Sequence, residues 1–308
     1  MSPSSLAHGD IDLAGLTMPA GACDCHTHIF GAPSRYPYTA ERRYTPGRAS
    51  MDAMSGLHHR LGIERAVVVQ PSPYGSDNRC TLDAVRGRNV NGADLARAVV
   101  VIDEKESPVS LLDMHAAGAR GTRINLETHG IHDASTARRI LKNTAERVAA
   151  YGWHIQIYAS LEVIVRMADV VDRLPVPVVL DHFAGLRIES DSYRANWAAL
   201  LDLAAGGNVY IKLSAPHRAS STDAHADLAP LVKALVQRRG DRLVWGTDWP
   251  HPGSWPGVPR DPRQIEPFHP IDDESALRHL ALWVGDQDAF DAILAGNAAQ
   301  LYGWPDRS

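Results

Sequence analysis

Several common features are missing from this chain, and each absence narrows what it can be. Only three of its 308 residues are cysteine (Cys23, Cys25 and Cys80). That fits a reducing compartment, so a cytoplasmic protein is expected. There is no basic excess: the formal charge is -5 and the pI near 6.3. Nothing in that balance favours a nucleic-acid partner. No run approaches the about 18 apolar residues that a membrane span needs. The opening "MSPSSLAHGD" is polar and short of basic residues, unlike a signal peptide. Residues 1–17 read as a flexible arm ahead of one domain over 18–308. There is no internal repeat and no linker. Lysine is scarce: Lys105, Lys142, Lys212 and Lys233 are the only four.

What is present is alternation. Short β-branched runs recur at 22–29, 65–70, 98–102, 121–126, 154–158, 176–181, 209–213 and 242–247. Most are nearly continuous apolar stretches, as in strands covered on both faces of a parallel sheet. Helical patterns lie between them. "SMDAMSGLHHRLG" opens on a Ser cap and stops at Gly62, and "DASTARRILKNTAERVAAYG" runs from Asp133 to Gly152. "SLEVIVRMADVVDRL" and "WAALLDLAAGG" behave alike. Eight strand–helix alternations predict a single-domain (β/α)8 barrel. A doubly wound open sheet is the alternative, weakened because no Gly-rich dinucleotide loop follows the first run. The stretch "PHPGSWPGVPRDPRQIEPFHP" after the eighth run is Pro-rich, and it predicts a long non-helical loop over the barrel mouth.

In such a barrel the chemistry sits at the C-terminal ends of the strands. The first run ends in His26 and His28, and the second in Gln70-Pro71-Ser72. The fourth carries Arg123 and Asn125, the fifth Gln156 and Tyr158, and the sixth ends in Asp181-His182. The seventh carries Lys212 and continues to Ser214, His217 and Arg218. The eighth ends in "GTDWPHP" with Asp248 and His251. Ionisable groups in apolar strands are costly to bury without partners, so the set predicts a lined pocket. His26 and His28 alternate onto one face, and Cys23 and Cys25 onto the other unless the strand bends. The two cysteines read as small packing residues. Lys212 either extends to water or meets an anion such as Asp248.

These residues resemble the amidohydrolase superfamily, and within it the 2-pyrone-4,6-dicarboxylate lactonase family. "GACDCHTHIFG", "VVQPSPYGSDNRCTLDAV", "VVLDHFAGL", "IKLSAPHR" and "LVWGTDWPHP" carry the likeness, over about residues 18–303. The resemblance implies hydrolysis of a small anionic lactone. Asp248 would be the general base, and His26, His28 and His182 would surround and polarise the lactone carbonyl. Arg123, Arg218, Ser72, Asn125, Tyr158, Gln156, Tyr44 and His251 are the expected substrate contacts. Carboxylates suit the arginine fork.

Metal-bearing relatives add a third ligand from the fourth or fifth strand, where this chain has Arg123, Gln156 and Tyr158. The resemblance therefore implies catalysis with no required metal. The alternative is a single Zn2+ on His26, His28, His182 and Asp248. Two departures bear on substrate: the family's arginines after strand four and after the strand-six histidine fall at His129 and near Gly185, with Arg187 two residues on. A pyrone dicarboxylate, a muconolactone or a sugar-acid lactone all fit. A zinc-dependent decarboxylase of the aminocarboxymuconate semialdehyde type and a lactone isomerase are the competing activities. The decarboxylase lacks its strand-five His, and the retained Asp248 favours hydrolysis over isomerisation.

Overall fold

The eight expected strands form, and they hydrogen-bond side by side in chain order. They are β1 (Cys23–Thr27), β2 (Arg65–Val69), β3 (Ala96–Val100), β4 (Ala119–Asn125), β5 (His154–Tyr158), β6 (Val178–Leu180), β7 (Val209–Ser214) and β8 (Leu243–Gly246). All seven pairings are parallel. The last strand meets the first just beyond β8. The Asp248 N–H donates to the His26 carbonyl at 2.9 Å, and the His28 N–H to the Trp249 carbonyl at 2.8 Å. The order never reverses, so there is no switch point and the doubly wound alternative is excluded. The computed structural model describes residues 11–222, 224–255 and 257–305.

Two apolar layers follow from the strand period. Ala66, Val68, Ile155, Ile157, Leu180 and Leu213 pack outward into the larger cluster beneath the helices. Val67, Val69, Val99, Val179 and Val244 form a separate cluster with Tyr302 and Trp304, which closes the barrel floor. Helix α1 (Met51–Leu61) starts where the Ser50 hydroxyl accepts the Ala53 N–H and stops at Gly62, φ 72°. Helix α2 (Ala134–Val148) starts on the Asp133 carboxylate, which accepts the Thr136 N–H. Both caps are the ones their sequences carry.

β1 departs from simple alternation. Asp24 lies opposite Ala66, but Thr27 lies opposite Val68, so β1 carries one extra residue against β2. This is a bulge, and it re-aims the residues beyond it. Cys23 and Cys25 join the interior valines, and His26 and His28 still reach the interior above them. Asp24 takes the outer side. Its Oδ2 lies 3.1 Å from His58 Nε2 of α1 and accepts the Thr247 hydroxyl at 2.6 Å. Its Oδ1 accepts the N–H groups of His26 and Thr247, each at 3.0 Å. One buried carboxylate thus ties α1, β1 and the end of β8 together directly beside the strand ends that carry the histidines.

The Pro-rich stretch is non-helical over its described residues, as expected, and it forms one wall of the mouth. Its Ile265–Glu266 pairs with Thr45–Pro46, and the Pro262 carbonyl accepts from Arg42 and Thr45. Of the expected arm, residues 1–10 lie outside the described residues. Within 11–17, Leu13 is buried and the Thr17 N–H donates to Gln287 Oε1 at 2.9 Å. Among the described residues no helix is long and apolar enough to cross a membrane.

Candidate active site

A cavity of about 740 Å3 opens at the C-terminal ends of the strands. Its floor is built around Asp248. Arg218 donates to Asp248 Oδ2 at 2.8 Å. Asp248 Oδ1 lies 3.6 Å from His26 Nε2, 3.7 Å from His28 Nε2 and 3.9 Å from His182 Nε2. Those three separations exceed hydrogen-bond length, so one carboxylate oxygen is anchored while the other faces three imidazoles. The loops that place these side chains are strained. Asp248 has φ 69°, and His182, Phe183 and Ala184 have φ 51°, 54° and 57°. Left-handed backbone at non-glycine residues costs roughly 1–3 kcal/mol each and clusters at functional sites.

Burial sets the protonation of this floor. It pushes His28 down to about 3, with His26 and Arg123 adding to the effect. It lowers His26 and His182 as well. Burial by itself would raise Asp248, but Arg218 and the surrounding histidines outweigh it and hold the carboxyl far below its usual range. The His28 Nδ1 lies 2.8 Å from the Val69 carbonyl. A carbonyl only accepts, so Nδ1 carries the proton and Nε2 presents its lone pair. His182 Nδ1 lies 2.9 Å from the Ser214 hydroxyl, which can take either role.

A second polar layer lies immediately beneath. Asp181 Oδ2 accepts from Arg123 Nε at 3.2 Å and Gln156 Nε2 at 3.0 Å. Asp181 Oδ1 is 3.3 Å from Lys212 Nζ and 3.2 Å from His26 Nδ1. Burial would raise Asp181, but His26, Lys212 and Arg123 hold it well below the carboxylate range. Lys212, Arg123 and Asp181 give the layer one net positive charge, and Arg123 reaches from it into the cavity wall.

Residues 23–304 match the amidohydrolase family. The chain belongs to that family. Over 299 residues it is 32% identical to a 2-pyrone-4,6-dicarboxylate hydrolase of Comamonas testosteroni, covering 94% of this chain and 92% of that one. It is 30% identical over 290 residues to a 4-sulfomuconolactone hydrolase of Rhizobium radiobacter, covering 93% and 91%. A solved structure from Pseudomonas putida, assigned as a 2-pyrone-4,6-dicarboxylic acid hydrolase, superposes with a TM-score of 0.77 at 26% identity. That match covers 94% of this chain and all of the other, 100%.

Members of this family can carry a metal, and this amidohydrolase holds part of what one needs. Ligand atoms of His26, His28 and Asp248 lie within 4.8 Å of one another, as do those of His26, Asp181 and His182. Three imidazoles and a carboxylate are a donor set that zinc accepts. A ligating imidazole must offer a bare nitrogen, with its other N–H held by an acceptor. His28 meets that condition. His26 does not: its Nδ1 is paired with Lys212 Nζ, a donor, at 3.3 Å, and the acceptor beside it, Asp181 Oδ1 at 3.2 Å, is out of hydrogen-bond alignment. The donor set fits a zinc ion and the hydrogen bonding of His26 does not.

The remaining expected contacts divide. Tyr44, Ser72, Asn125, Tyr158, Arg123 and Arg218 line the cavity. Gln156 does not: it is fully buried beneath, holding Asp181 and Lys212. His251 turns away, and its Nε2 sits 3.2 Å from Asp273 Oδ2 beside a neighbouring cavity. Its backbone N–H bonds the Asp248 carbonyl at 2.7 Å, so the turn that aims Asp248 sends His251 outward. Of the two readings of Lys212, the one in which it meets an anion holds, with Asp181 rather than Asp248 as the partner, and the lysine is fully buried rather than reaching water. The position near the absent family arginine is closed to any side chain. Gly185 has φ 64°, and a Cβ there would overlap the Ala159 carbonyl. Arg187 reaches the cavity instead, 3.4 Å from Glu127. Arg42, Arg43 and Arg260 also line it and were not among the expected contacts. All three sit on loops without periodicity, so no pattern singled them out.

Proposed function

We propose that this amidohydrolase opens a carboxylate-bearing lactone by attack of an Asp248-activated water on the ring carbonyl. The observation that carries this is the asymmetry of Asp248: Oδ2 is fixed by Arg218 and Oδ1 faces His26, His28 and His182. A water between Asp248 Oδ1 and the bare Nε2 of His28 meets two acceptors, which aims its lone pair at substrate. Its oxygen bonds to the carbonyl carbon as Asp248 takes a proton. The tetrahedral centre collapses, the ring C–O bond breaks, and the proton passes to the departing oxygen. Charge on the carbonyl oxygen is stabilised by N–H donors and by the positive layer below. Six cavity arginines against Glu41, Glu127 and Asp248 favour an anionic substrate.

The named activities of the similar hydrolases support lactone opening and leave the ring open among pyrone dicarboxylate, muconolactone and sugar-acid types. No metal is required in this reading, and the hydrogen bonding of His26 supports that. A decarboxylase of the zinc type has less support, since β5 offers no ligand at its cavity end: the histidine it does carry, His154, is buried against Gly121 at the opposite end. Three buried thiols support a cytoplasmic setting.

The test is a screen of carboxylated lactones on protein of measured metal content, repeated with Asp248→Asn. We expect turnover of at least one lactone, and a loss of roughly 10²–10⁴-fold in kcat in the variant. Full activity in Asp248→Asn would remove the base assignment. Activity that tracks a stoichiometric, chelatable metal would replace the metal-free reading.

A further inference from the structure

His26 and His28 stand one residue apart and face the same carboxylate, yet their second nitrogens meet opposite partners. His28 Nδ1 meets a carbonyl. His26 Nδ1 meets Lys212 Nζ at 3.3 Å, and the same Nζ donates to Gln156 Oε1 at 2.9 Å. Lys212 is fully buried and 3.3 Å from Asp181, whose charge favours the ammonium form. An ammonium has donors and no acceptor. Asp181 Oδ1 lies 3.2 Å from the same His26 nitrogen, slightly nearer than Nζ, but out of hydrogen-bond alignment with it. His26 Nε2, at the other side of the ring, is buried, points toward Asp248 and has no hydrogen-bond partner among the described residues.

We propose that Lys212 is a positioning residue: its ammonium holds His26 with the proton on Nε2, so that His26 donates to the lactone carbonyl oxygen while His28 accepts from the attacking water. The two histidines of one motif then divide the reaction between them. His28 presents a lone pair because a backbone carbonyl takes its Nδ1 proton. His26 presents an N–H because a lysine occupies its Nδ1 lone pair. The same contact withholds His26 Nε2 from a metal. Without Lys212, Asp181 Oδ1 is the acceptor left beside His26 Nδ1 with no competing donor, and the proton would move to Nδ1. The catalytic part of this inference rests on the lactonase reading; the tautomer does not.

Long-range 1H–15N spectra of protein labelled at histidine nitrogens test it without any substrate. The His26 signals are assigned by their loss in His26→Gln. We expect His26 with Nε2 protonated and Nδ1 bare, and Lys212→Met with that order reversed. Lys212→Arg, which keeps a cationic donor, should retain the original tautomer. With a lactone that the protein turns over, Lys212→Met should lose about a hundredfold in kcat, the scale of one oxyanion donor, with KM within about twofold, and Lys212→Arg should recover part of it. A protonated Nδ1 on His26 in the unsubstituted protein overturns the proposal, as does a metal bound through His26. That spectrum decides even where Lys212→Met fails to fold. Absence of lactone turnover with the expected tautomer would count against the proposed function and leave the tautomer standing.

Discussion

Mild acid should destabilise this protein well before its carboxylates titrate, because the barrel buries imidazoles that must stay neutral. His28 and His154 are both fully buried and are pushed down to about 3, in each case chiefly by burial. Their ordinary value is 6.5. The folded state therefore binds fewer protons than the unfolded chain between those two values. Stability is fully present above 6.5 and is lost as pH falls toward 3. At pH 5.5 each group forfeits RT ln(1 + 10), about 1.4 kcal/mol, so the pair forfeits about 3 kcal/mol. His26 and His182 are shifted in the same direction and add to the loss. Asp181 and Asp248, held below the carboxylate range, act only at lower pH. A loss of that size is a large share of a typical stability of about 5–15 kcal/mol. Urea unfolding at pH 8 and pH 5.5 measures it, read on the first transition. A difference under about 1 kcal/mol would mean that these rings are solvated or charged in the folded barrel, and the reasoning from burial would fail.

Two further outcomes follow from backbone and charge. Gly185→Ala should lower stability by at least about 3 kcal/mol, because a Cβ overlaps the Ala159 carbonyl at positive φ, whereas Gly56→Ala in α1, with nothing nearby, should be neutral or stabilise by about 0.5–1 kcal/mol; thermal melts of the two variants compare them. Arg123→Met should raise KM for an anionic lactone by roughly tenfold to a hundredfold and leave KM for a neutral lactone of the same ring little changed, with kcat lowered on both because the positive layer beneath is neutralised, as steady-state kinetics on the two substrates would show.

Much of the scaffold was legible residue by residue. The continuous apolar runs mark strands covered on both faces, and all eight form within about two or three residues of where the runs lie. Ser50, Gly62 and Asp133 mark helix ends because capping is local chemistry. The "SLEVIVRMADVVDRL" run was less legible. It splits into Leu161–Arg166 and Ala168–Val171 around Met167, a break that no Pro or Gly announces. The strand-end positions of His26, His28, His182 and Asp248 were also readable, since a barrel of known strand order places strand ends together.

The sequence by itself determined which side chains stand at the mouth of the barrel, because period, capping and turn chemistry act over a few residues. Only the tertiary structure decided what those side chains are to one another. The bulge in β1 put the cysteines and the histidines on one interior. The turn at Asp248 sent His251 outward. Asp181, from a neighbouring strand, took Lys212 away from Asp248. A hydrogen bond has a reach of about 3 Å, so the proton on each histidine depends on partners that lie far off along the chain. His28 is set by Val69, 41 residues away, and His26 by Lys212, 186 residues away.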